Sequence, residues 1–171
     1  LNARRISNFK HNRRGYWSLW IFMALFLITL PAEFIANDRP LVVGYNGDLY
    51  FPVLNTYPET VFGGDFETEA EYRESDVQDL IRKKDGWMIW PLVEYSYNTV
   101  NLNLKVPAPA PPSGDNVIGT DDQGRDVLAR VIYGFRISVL FGLILTVLGS
   151  IIGVVAGAFQ GYFGGWLDLL F

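Results

Sequence analysis

The sequence predicts a mainly α-helical membrane protein in which two transmembrane helices flank a small α+β extracytoplasmic insert. Two observations predict the helices, because residues 15–32 and residues 137–167 carry no charged side chain. A third observation predicts the insert: residues 37–136 hold nine basic and 16 acidic residues together with several turn-forming pairs. Half of the 171 residues are hydrophobic, and they are concentrated in the two uncharged runs.

The composition excludes several classes of protein. A net charge of −4 argues against a nucleic-acid partner, which would require a basic face. Without cysteine there is no disulfide framework, zinc ribbon or thiol nucleophile, and the single histidine, His11, leaves almost no scope for zinc-protease or Ser-His-Asp chemistry. No glycine precedes any of the four lysines, so the phosphate-binding GxxxxGK[ST] loop is missing. We therefore expect no catalytic, cofactor-binding or metal-binding residue.

The first transmembrane helix is predicted over residues 15–36, after a basic cytoplasmic N-terminus at residues 1–14. Its uncharged run of 18 residues is near the shortest length that crosses a bilayer. Five basic residues precede the run, against Arg39 on the far side, so the N-terminus is expected in the cytoplasm. The alternative is a cleaved signal peptide, but the run is long for that and lacks small residues at the cleavage spacing.

The insert is predicted over residues 37–115. Asn46-Gly47 between two β-prone runs predicts a two-residue hairpin turn, because both turn positions need a positive φ. Alternating apolar and polar residues predict a half-buried strand over 100–106. A stiff, proline-rich linker follows at 107–112.

A helix is predicted within the insert over residues 68–84. Thr68 and Glu71 fit a capping box at its start, basic residues close its last turn, and Gly86 can terminate it. The acidic run at 66–76 is interpreted as a solvated helix face, because its spacing matches no set of cation ligands.

The aromatic residues Trp87, Trp90 and Tyr95 have two interpretations. They could contact a partner protein or ligand, or they could form the core of a small domain, as such residues do more often. The sequence leaves both interpretations open.

The segment 116–136 leads into the second transmembrane helix, which is predicted over 137–163. Thr120 and Gln123 form another capping-box pattern, and the apolar stripe that follows predicts a short amphipathic helix in the membrane interface. The alternative is a plain helix start with a favourable acidic first turn. Residues 164–171 would begin a cytoplasmic remainder.

Four glycines recur once per turn along the second predicted helix. In lipid, small residues at this spacing let a neighbouring helix approach closely. The helix is therefore expected to pack within a larger bundle through Gly149, Gly153, Gly157 and Gly161.

A resemblance to a known family is carried by GTDDQGRDVL at 119–128, together with Arg136-Ile-Ser and GYFGGWLD at 161–168. These runs resemble the second permease subunit of peptide and oligopeptide ABC importers. The N-terminal half, with its YNGDLYFP and DGWMIWP runs, resembles the Yej-type branch associated with microcin C and oligopeptides. The resemblance implies a structural role for Gly119, Thr120, Asp121, Asp122, Gly124, Arg125, Asp126 and Arg136.

The resemblance also implies a function. The chain would be a multi-pass subunit of a type I importer permease bundle in the bacterial inner membrane, forming part of the pathway for oligopeptides or peptide antibiotics such as microcin C. It would not itself be an enzyme, because ATP and Mg²⁺ would be bound by a cytoplasmic ATPase partner. The other expected partners are a second permease, the lipid bilayer and a periplasmic binding protein, which Trp87, Trp90 and Tyr95 could contact.

Family members have about six spans and a cytoplasmic coupling loop, so we expect this chain to be an N-terminal portion of a longer protein. Two other readings stay open. A two-span membrane sensor would place the insert as its sensing domain, but it would continue into a basic cytoplasmic helix that the run after Gly161 does not resemble. A small assembly subunit is the third reading.

Overall fold

The computed structural model describes residue 7 and residues 9–163. The named helices in this part of the chain are α1 (Arg13–Thr29), α2 (Ala32–Ile35), α3 (Ser75–Arg82) and α4 (Val127–Phe163). The strands are β1 (Val42–Tyr45), β2 (Asp48–Tyr50) and β3 (Trp87–Ile89), and a 3-10 helix spans Glu59–Phe62. The remainder predicted at 164–171 lies outside the described residues, as do residues 1–6 and 8 of the basic N-terminus.

Helix α1 covers most of the first uncharged run. Asn12 caps it, since its side-chain Oδ1 accepts a hydrogen bond from Gly15 N at 3.3 Å. The helix ends at Thr29 because Pro31 has no N–H for a further helical bond and adopts a non-helical ψ of 49°. The single helix predicted over 15–36 is therefore interrupted, and α2 begins after the proline.

A three-stranded antiparallel sheet forms the centre of the insert. Strand β1 pairs with β2 on one side and with β3 on the other. The hairpin between β1 and β2 turns at Asn46 and Gly47, whose φ angles of 53° and 90° are those of a type I′ turn. The structure thus has the hairpin that the Asn-Gly pair predicts.

The first hydrophobic core joins β1, the 3-10 helix and α3. Phe62 is at its centre, because the rings of Tyr45, Tyr50 and Tyr72 meet it edge-on at 5.4–5.6 Å between centroids. Such aromatic contacts add about 0.5–1.5 kcal/mol each beyond area burial. The buried members of this core are Val43, Tyr45, Phe62, Ala70, Tyr72, Val77 and Ile81.

Helix α3 begins at Ser75, so the predicted start at Thr68 is wrong. The residues before it are extended instead: Glu69 forms a bridge with Pro58, and Ala70 N donates to Tyr57 O at 3.0 Å. This pairing carries Ala70 and Tyr72 into the core. The free energy gained by burying the Tyr72 ring exceeds the contribution of a capping box, which is about 1 kcal/mol.

The end of α3 also differs in detail from the prediction. Asp85, with φ 54°, takes the left-handed position that was expected near Gly86. Asp85 N donates to Arg82 O and Gly86 N donates to Ile81 O, at 3.1 and 3.0 Å, which is the Schellman pattern. Glycine is needed at 86 for space, because a Cβ would lie 2.5 Å from Ile81 O.

Residues 100–106 form a loop, so the strand predicted there is wrong. The predicted alternation fails at residues 101 and 102, because Leu102 is 88 % exposed and Asn101 only 8 %. Asn101 N donates to Gly124 O at 2.9 Å. Hydrogen bonds from Asn101 therefore decide which side of this segment faces inward.

A second core packs α2 and the residues after β3 against the first turns of α4. Tyr133 donates its hydroxyl proton to Ala36 O at 2.8 Å, and Ala36 forms a parallel bridge with Val93. The buried members are Ala32, Ala36, Val93, Tyr95, Ala129 and Tyr133.

Helix α4 is a single helix of 37 residues. The structure therefore has no helix boundary between the interfacial helix and the transmembrane helix that the sequence predicts on either side of residue 136. The chain divides into two compact units at Phe135 and Arg136, inside this helix. Among the described residues, one helical stretch, Val127–Tyr162, has both the length and the apolar composition needed to cross a membrane.

Candidate functional site

Asp121 organises the segment 119–126, which carries the family resemblance. Its Oδ1 accepts hydrogen bonds from the backbone N–H groups of Gln123 and Arg125, both at 2.9 Å. Its Oδ2 accepts from Arg125 Nε at 2.9 Å and also pairs with the Arg130 guanidinium. One carboxylate thus fixes the turn and holds two arginine side chains.

The environment of Asp121 favours its ionised form. Burial by itself raises the pKa of Asp121. The backbone N–H groups of Arg125 and Gln123 and the Arg125 guanidinium together lower the pKa by more than burial raises it. The net pKa lies below the ordinary value for an aspartate. The Asp121–Arg125 pair therefore holds the two ends of this loop together.

A buried polar network connects three separate segments behind this loop. Asn101 Nδ2 donates to Asn116 Oδ1 at 2.9 Å, and Asn116 Nδ2 donates to Asp126 Oδ2 at 2.8 Å. Asn116 and Asp126 are 1 % and 0 % exposed. The network joins the 100–106 loop, the turn at Asn116 that follows the proline-rich linker, and the start of α4.

Asp126 is also the N-cap of α4. Its Oδ1 accepts from Ala129 N at 2.7 Å, three residues along, as an N-cap side chain does. The capping box predicted from Thr120 and Gln123 is therefore wrong. Thr120 instead makes two hydrogen bonds with Ala110, donating N–H to its carbonyl at 3.0 Å and accepting its N–H at Oγ1 at 2.8 Å.

Gly119 and Gly124 are required by the loop conformation, with φ angles of 87° and 77°. Gly119 has a second constraint, because a Cβ would lie 2.5 Å from Ala110 O. At Gly124 the nearest atoms would be 3.5 Å away, so only its φ is restrictive. Asp122 is exposed at the same turn.

The aromatic residues predicted as a contact surface do not share one environment. Trp87 is 48 % exposed on β3, and Trp90 is partly buried against the first core. Tyr95 is 4 % exposed in the second core, with the Arg73 guanidinium 4.0 Å from its ring centroid. Tyr95 is thus a core residue, which favours that interpretation, and Trp87 is the member with an accessible ring.

The remaining predicted residues lie along α4. Arg136 is partly exposed. Apart from the backbone of its own helix, a Cβ built at any of the four spaced glycines meets no atom of the described residues within 4 Å. The face formed by Gly149, Gly153, Gly157 and Gly161 is therefore open in the described part of the chain. Among the described residues, no group of three His, Cys, Asp or Glu side chains could hold a metal ion.

Asn101 and Asn116 are the site residues that the sequence reasoning missed. Alternation assigned Asn101 to the solvent side, and nothing in its spacing signals a buried partner. For Asn116 the sequence does contain a turn signal, the residue types Ser, Gly, Asp and Asn at 113–116. In the structure Asn116 N donates to Ser113 Oγ at 3.1 Å, and Ser113 N donates to Asn116 O at 2.9 Å.

An open cleft of about 980 Å³ lies beside the network. It is lined by charged and polar residues of the 69–78 segment, by Asp38 and Arg39, and by the loop 99–103. Arg39 and Glu69 form an ion pair at the cleft, and Thr99 donates its hydroxyl proton to Asp38 Oδ2 at 2.7 Å.

Searches for similar proteins give several relatives. The chain is 51 % identical over 191 residues to the peptidoglycan transport system permease protein YejE of Agrobacterium fabrum, covering 98 % of this chain and 50 % of that protein. It is 49 % identical over 169 residues to the inner membrane ABC transporter permease protein YejE of Escherichia coli, covering 99 % and 49 %. A shorter match, 48 % identical over 54 residues, covers 32 % of this chain and 18 % of the dipeptide transport system permease protein DppC of Haemophilus influenzae.

The chain spans about half the length of the two YejE relatives. No protein-family model matches it. No solved structure matches it significantly. The likeness to the two YejE permease proteins covers nearly the whole chain, including the loop around Asp121, so the chain is similar along its length to about half of an ABC-transporter permease.

Proposed function

We propose that this chain is part of a permease subunit of an ATP-driven importer of peptides. The observation that carries the proposal is the identity of 51 % and 49 % to two YejE permeases over 98 % and 99 % of the chain. The subunit supplies part of the translocation pathway in the inner membrane. ATP and Mg²⁺ are bound by a separate cytoplasmic ATPase, and a second permease and a periplasmic binding protein complete the importer.

The proposed topology has two membrane crossings, formed by α1 and by α4. The 17 residues of α1 are at the short end of the range for a spanning helix, and none of its side chains is buried. Trp17, Trp20 and Ile21 are all more than half exposed, as expected for a helix whose neighbours are lipid and other subunits. The insert then lies outside the cytoplasm, with the N-terminus inside.

The proposed cargo is a peptide. The relatives are named for peptidoglycan, dipeptide and oligopeptide transport. Transport of a peptide antibiotic such as microcin C stays a prediction from the resemblance.

Partner identification tests the assembly. The gene product is isolated from its own membrane in mild detergent, and the proteins that co-purify are identified by mass spectrometry. We expect a second permease and an ATPase in the complex. A histidine kinase partner, or isolation without any ATPase, would contradict the proposal and favour a sensor or an assembly subunit.

Uptake of a radiolabelled tripeptide tests the activity in cells that lack their own permease of this type. Cells that carry the gene and its partners should accumulate the label only while ATP is available. Arg125→Ala should lower uptake while the protein remains in the membrane, because it removes one guanidinium from Asp121. Asp122→Asn is the matched control, since Asp122 is exposed at the same turn. Equal uptake by the Arg125 variant would show that the loop is not needed.

These 171 residues contain no cysteine, so single cysteines placed among them can report the topology. Ser7→Cys and Glu67→Cys, both at exposed positions, are treated with a membrane-impermeant maleimide on intact spheroplasts. Cys at 67 should label at once, and Cys at 7 only after permeabilisation. The opposite pattern would reverse the orientation.

A further inference from the structure

The start of α1 carries three cationic side chains that form no ion pair with any described residue. Lys10, Arg13 and Arg14 are all exposed, and the ion pairs in the described part of the chain involve other residues. The sequence has no Asp or Glu before Glu33, so this segment contains no acid that could neutralise them. Their charge is therefore available to an anion from outside the segment.

A hydrogen-bonded turn holds the residues before α1 against its first turn. Asn12 N donates to Phe9 O at 3.1 Å, and the ring of Phe9 lies 6.1 Å from the ring of Tyr16 between centroids. Lys10 lies within this turn, and the two arginines follow it at the start of α1. The three cations thus stand on both sides of one helix start.

Exposed tryptophans follow the cations along α1. Trp17 and Trp20 lie four and seven residues after Arg13, a spacing that places all three on one face of the helix. Trp17 is 63 % exposed and Trp20 is 53 % exposed, and residues 15–32 carry no charge. Tryptophan prefers the headgroup level of a bilayer, where its ring meets both polar and apolar groups.

The order of these side chains matches the order of groups in a phospholipid. Cations come first, aromatic rings second and aliphatic residues third, as phosphate, glycerol esters and acyl chains do along a lipid. An acidic protein surface would complement the cations but would leave the exposed tryptophans and the apolar residues after them without a counterpart. Charge and polarity together therefore favour a lipid as the occupant.

We propose that Lys10, Arg13 and Arg14 bind the phosphate of an anionic phospholipid headgroup, with Trp17 and Trp20 against its glycerol and upper acyl region. The site rests on the membrane crossing by α1 that is part of the proposed function. It selects anionic lipids over zwitterionic ones, because a zwitterionic headgroup carries a cation that the three side chains repel.

Lipid photo-crosslinking tests the proposal without any transport step. The full chain is placed in nanodiscs of equal parts phosphatidylglycerol and phosphatidylcholine, with a trace of a photoactivatable form of one lipid or the other, and labelled peptides are identified by mass spectrometry. Phosphatidylglycerol should label residues 9–21 about fivefold or more above phosphatidylcholine, since one basic residue at an anionic surface already gives about that preference. Residues 140–160 of α4 are the internal reference and should be labelled equally by both lipids. Equal labelling of residues 9–21 would overturn the site.

Matched charge variants separate this site from general electrostatics. Lys10→Gln with Arg13→Gln and Arg14→Gln should lower the preference for phosphatidylglycerol at residues 9–21 about fivefold or more. The control, Arg82→Gln with Lys83→Gln and Lys84→Gln, removes the same charge from exposed positions at the end of α3. It should change that preference less than twofold. Equal losses in the two triple variants would overturn the assignment to the start of α1.

Two further measurements use the unchanged chain, so they do not depend on how a variant folds. Raising the salt concentration should lower the preference, because exposed charges are screened, and a preference independent of salt would overturn the role of the cations. Soluble glycerol phosphate should leave the labelling unchanged, whereas its loss would assign the cations to a free phosphate group. Because the nanodiscs contain no ATPase and no second permease, lipid selection can fail while peptide uptake succeeds, and the reverse.

Discussion

Asn116 donates a hydrogen bond to Asp126 at 2.8 Å, between two side chains that are almost completely buried. The same carboxylate caps α4 through Ala129 N. One buried group therefore determines both where the long helix begins and how the preceding linker is attached to it. The family resemblance around residue 126 coincides with this attachment point.

Asp126→Asn should destabilise the chain although it changes few atoms. The new amide can keep one acceptor for Ala129 N, but its NH₂ group then faces Asn116 Nδ2, and two donors oppose each other. We expect a loss of about 1–3 kcal/mol, the usual cost of an unsatisfied buried polar group. Thermal unfolding in detergent measures it, with Asp122→Asn as the exposed control. A melting temperature equal to that of the control would contradict the network.

Alanine at the two loop glycines should have unequal effects. Gly119→Ala meets both a positive φ and a 2.5 Å contact with Ala110 O, whereas Gly124→Ala meets only the positive φ. We expect a loss of about 1 kcal/mol at 124 and clearly more at 119. Gly134→Ala, in α4 with open space around its Cβ, should be neutral or stabilising by up to about 1 kcal/mol. Equal losses at 119 and 124 would contradict the close approach of Ala110.

The stability of the loop should fall in acid because of Asp121. Its pKa is depressed in the folded chain, so the contribution is complete above the unfolded value of about 3.9 and disappears as the pH falls through the lower folded value. Melting temperatures between pH 7 and pH 3 should show this loss. Asp121→Asn should begin less stable at pH 7 and lose less on acidification. Parallel curves for the two proteins would assign the acid sensitivity to other groups.

Tyr133→Phe tests the link between α2 and α4. The hydroxyl donates to Ala36 O at 2.8 Å in a buried site, so its removal leaves that carbonyl with one bond fewer. We expect a loss of about 1 kcal/mol. Tyr97→Phe provides a control for the chemical change, since Tyr97 is 52 % exposed. A larger loss in the control than at 133 would argue against the link.

Gly153→Leu should affect assembly more than folding. Its Cβ position is open in this chain, so the larger side chain meets no described neighbour there. Close helix approach in lipid depends on small residues, and we expect less of the second permease to co-purify with the variant. Val154→Leu is the adjacent control, at a position 72 % exposed. Unchanged recovery of the second permease would show that another face of α4 makes the contact.

The parts of the fold that were predictable depend on local chemistry. Asn46-Gly47 specifies its turn through backbone conformation alone, and the long uncharged run specifies α4. The start of α3 was missed because long-range pairing with residues 57–59 competes with a local cap. The 100–106 strand was missed because burial there follows hydrogen bonding, and a period-two pattern assumes apolar burial.

The site was predictable as a segment but not as a network. The resemblance to the family motif identifies residues 119–126 as a segment. It does not distinguish the contacts of Asp121 from those of Asp126. Asp121 is held by two arginines, whereas Asp126 is held by an amide and a helix N-terminus. Their distinction depends on Asn101 and Asn116, which lie outside the recognisable motif.

The hydrogen bonds of the network around Asn116 all run in the same direction, from donor to acceptor. Asn103 N donates to Asn101 Oδ1 at 3.0 Å, Asn101 donates to Asn116, and Asn116 donates to the Asp126 carboxylate. Every amide thus accepts at one end and donates at the other, and the series terminates at an anion that can only accept. Rotating either amide by half a turn would break the bonds on both of its sides together. Only one orientation of the two amides therefore keeps all the bonds of the series.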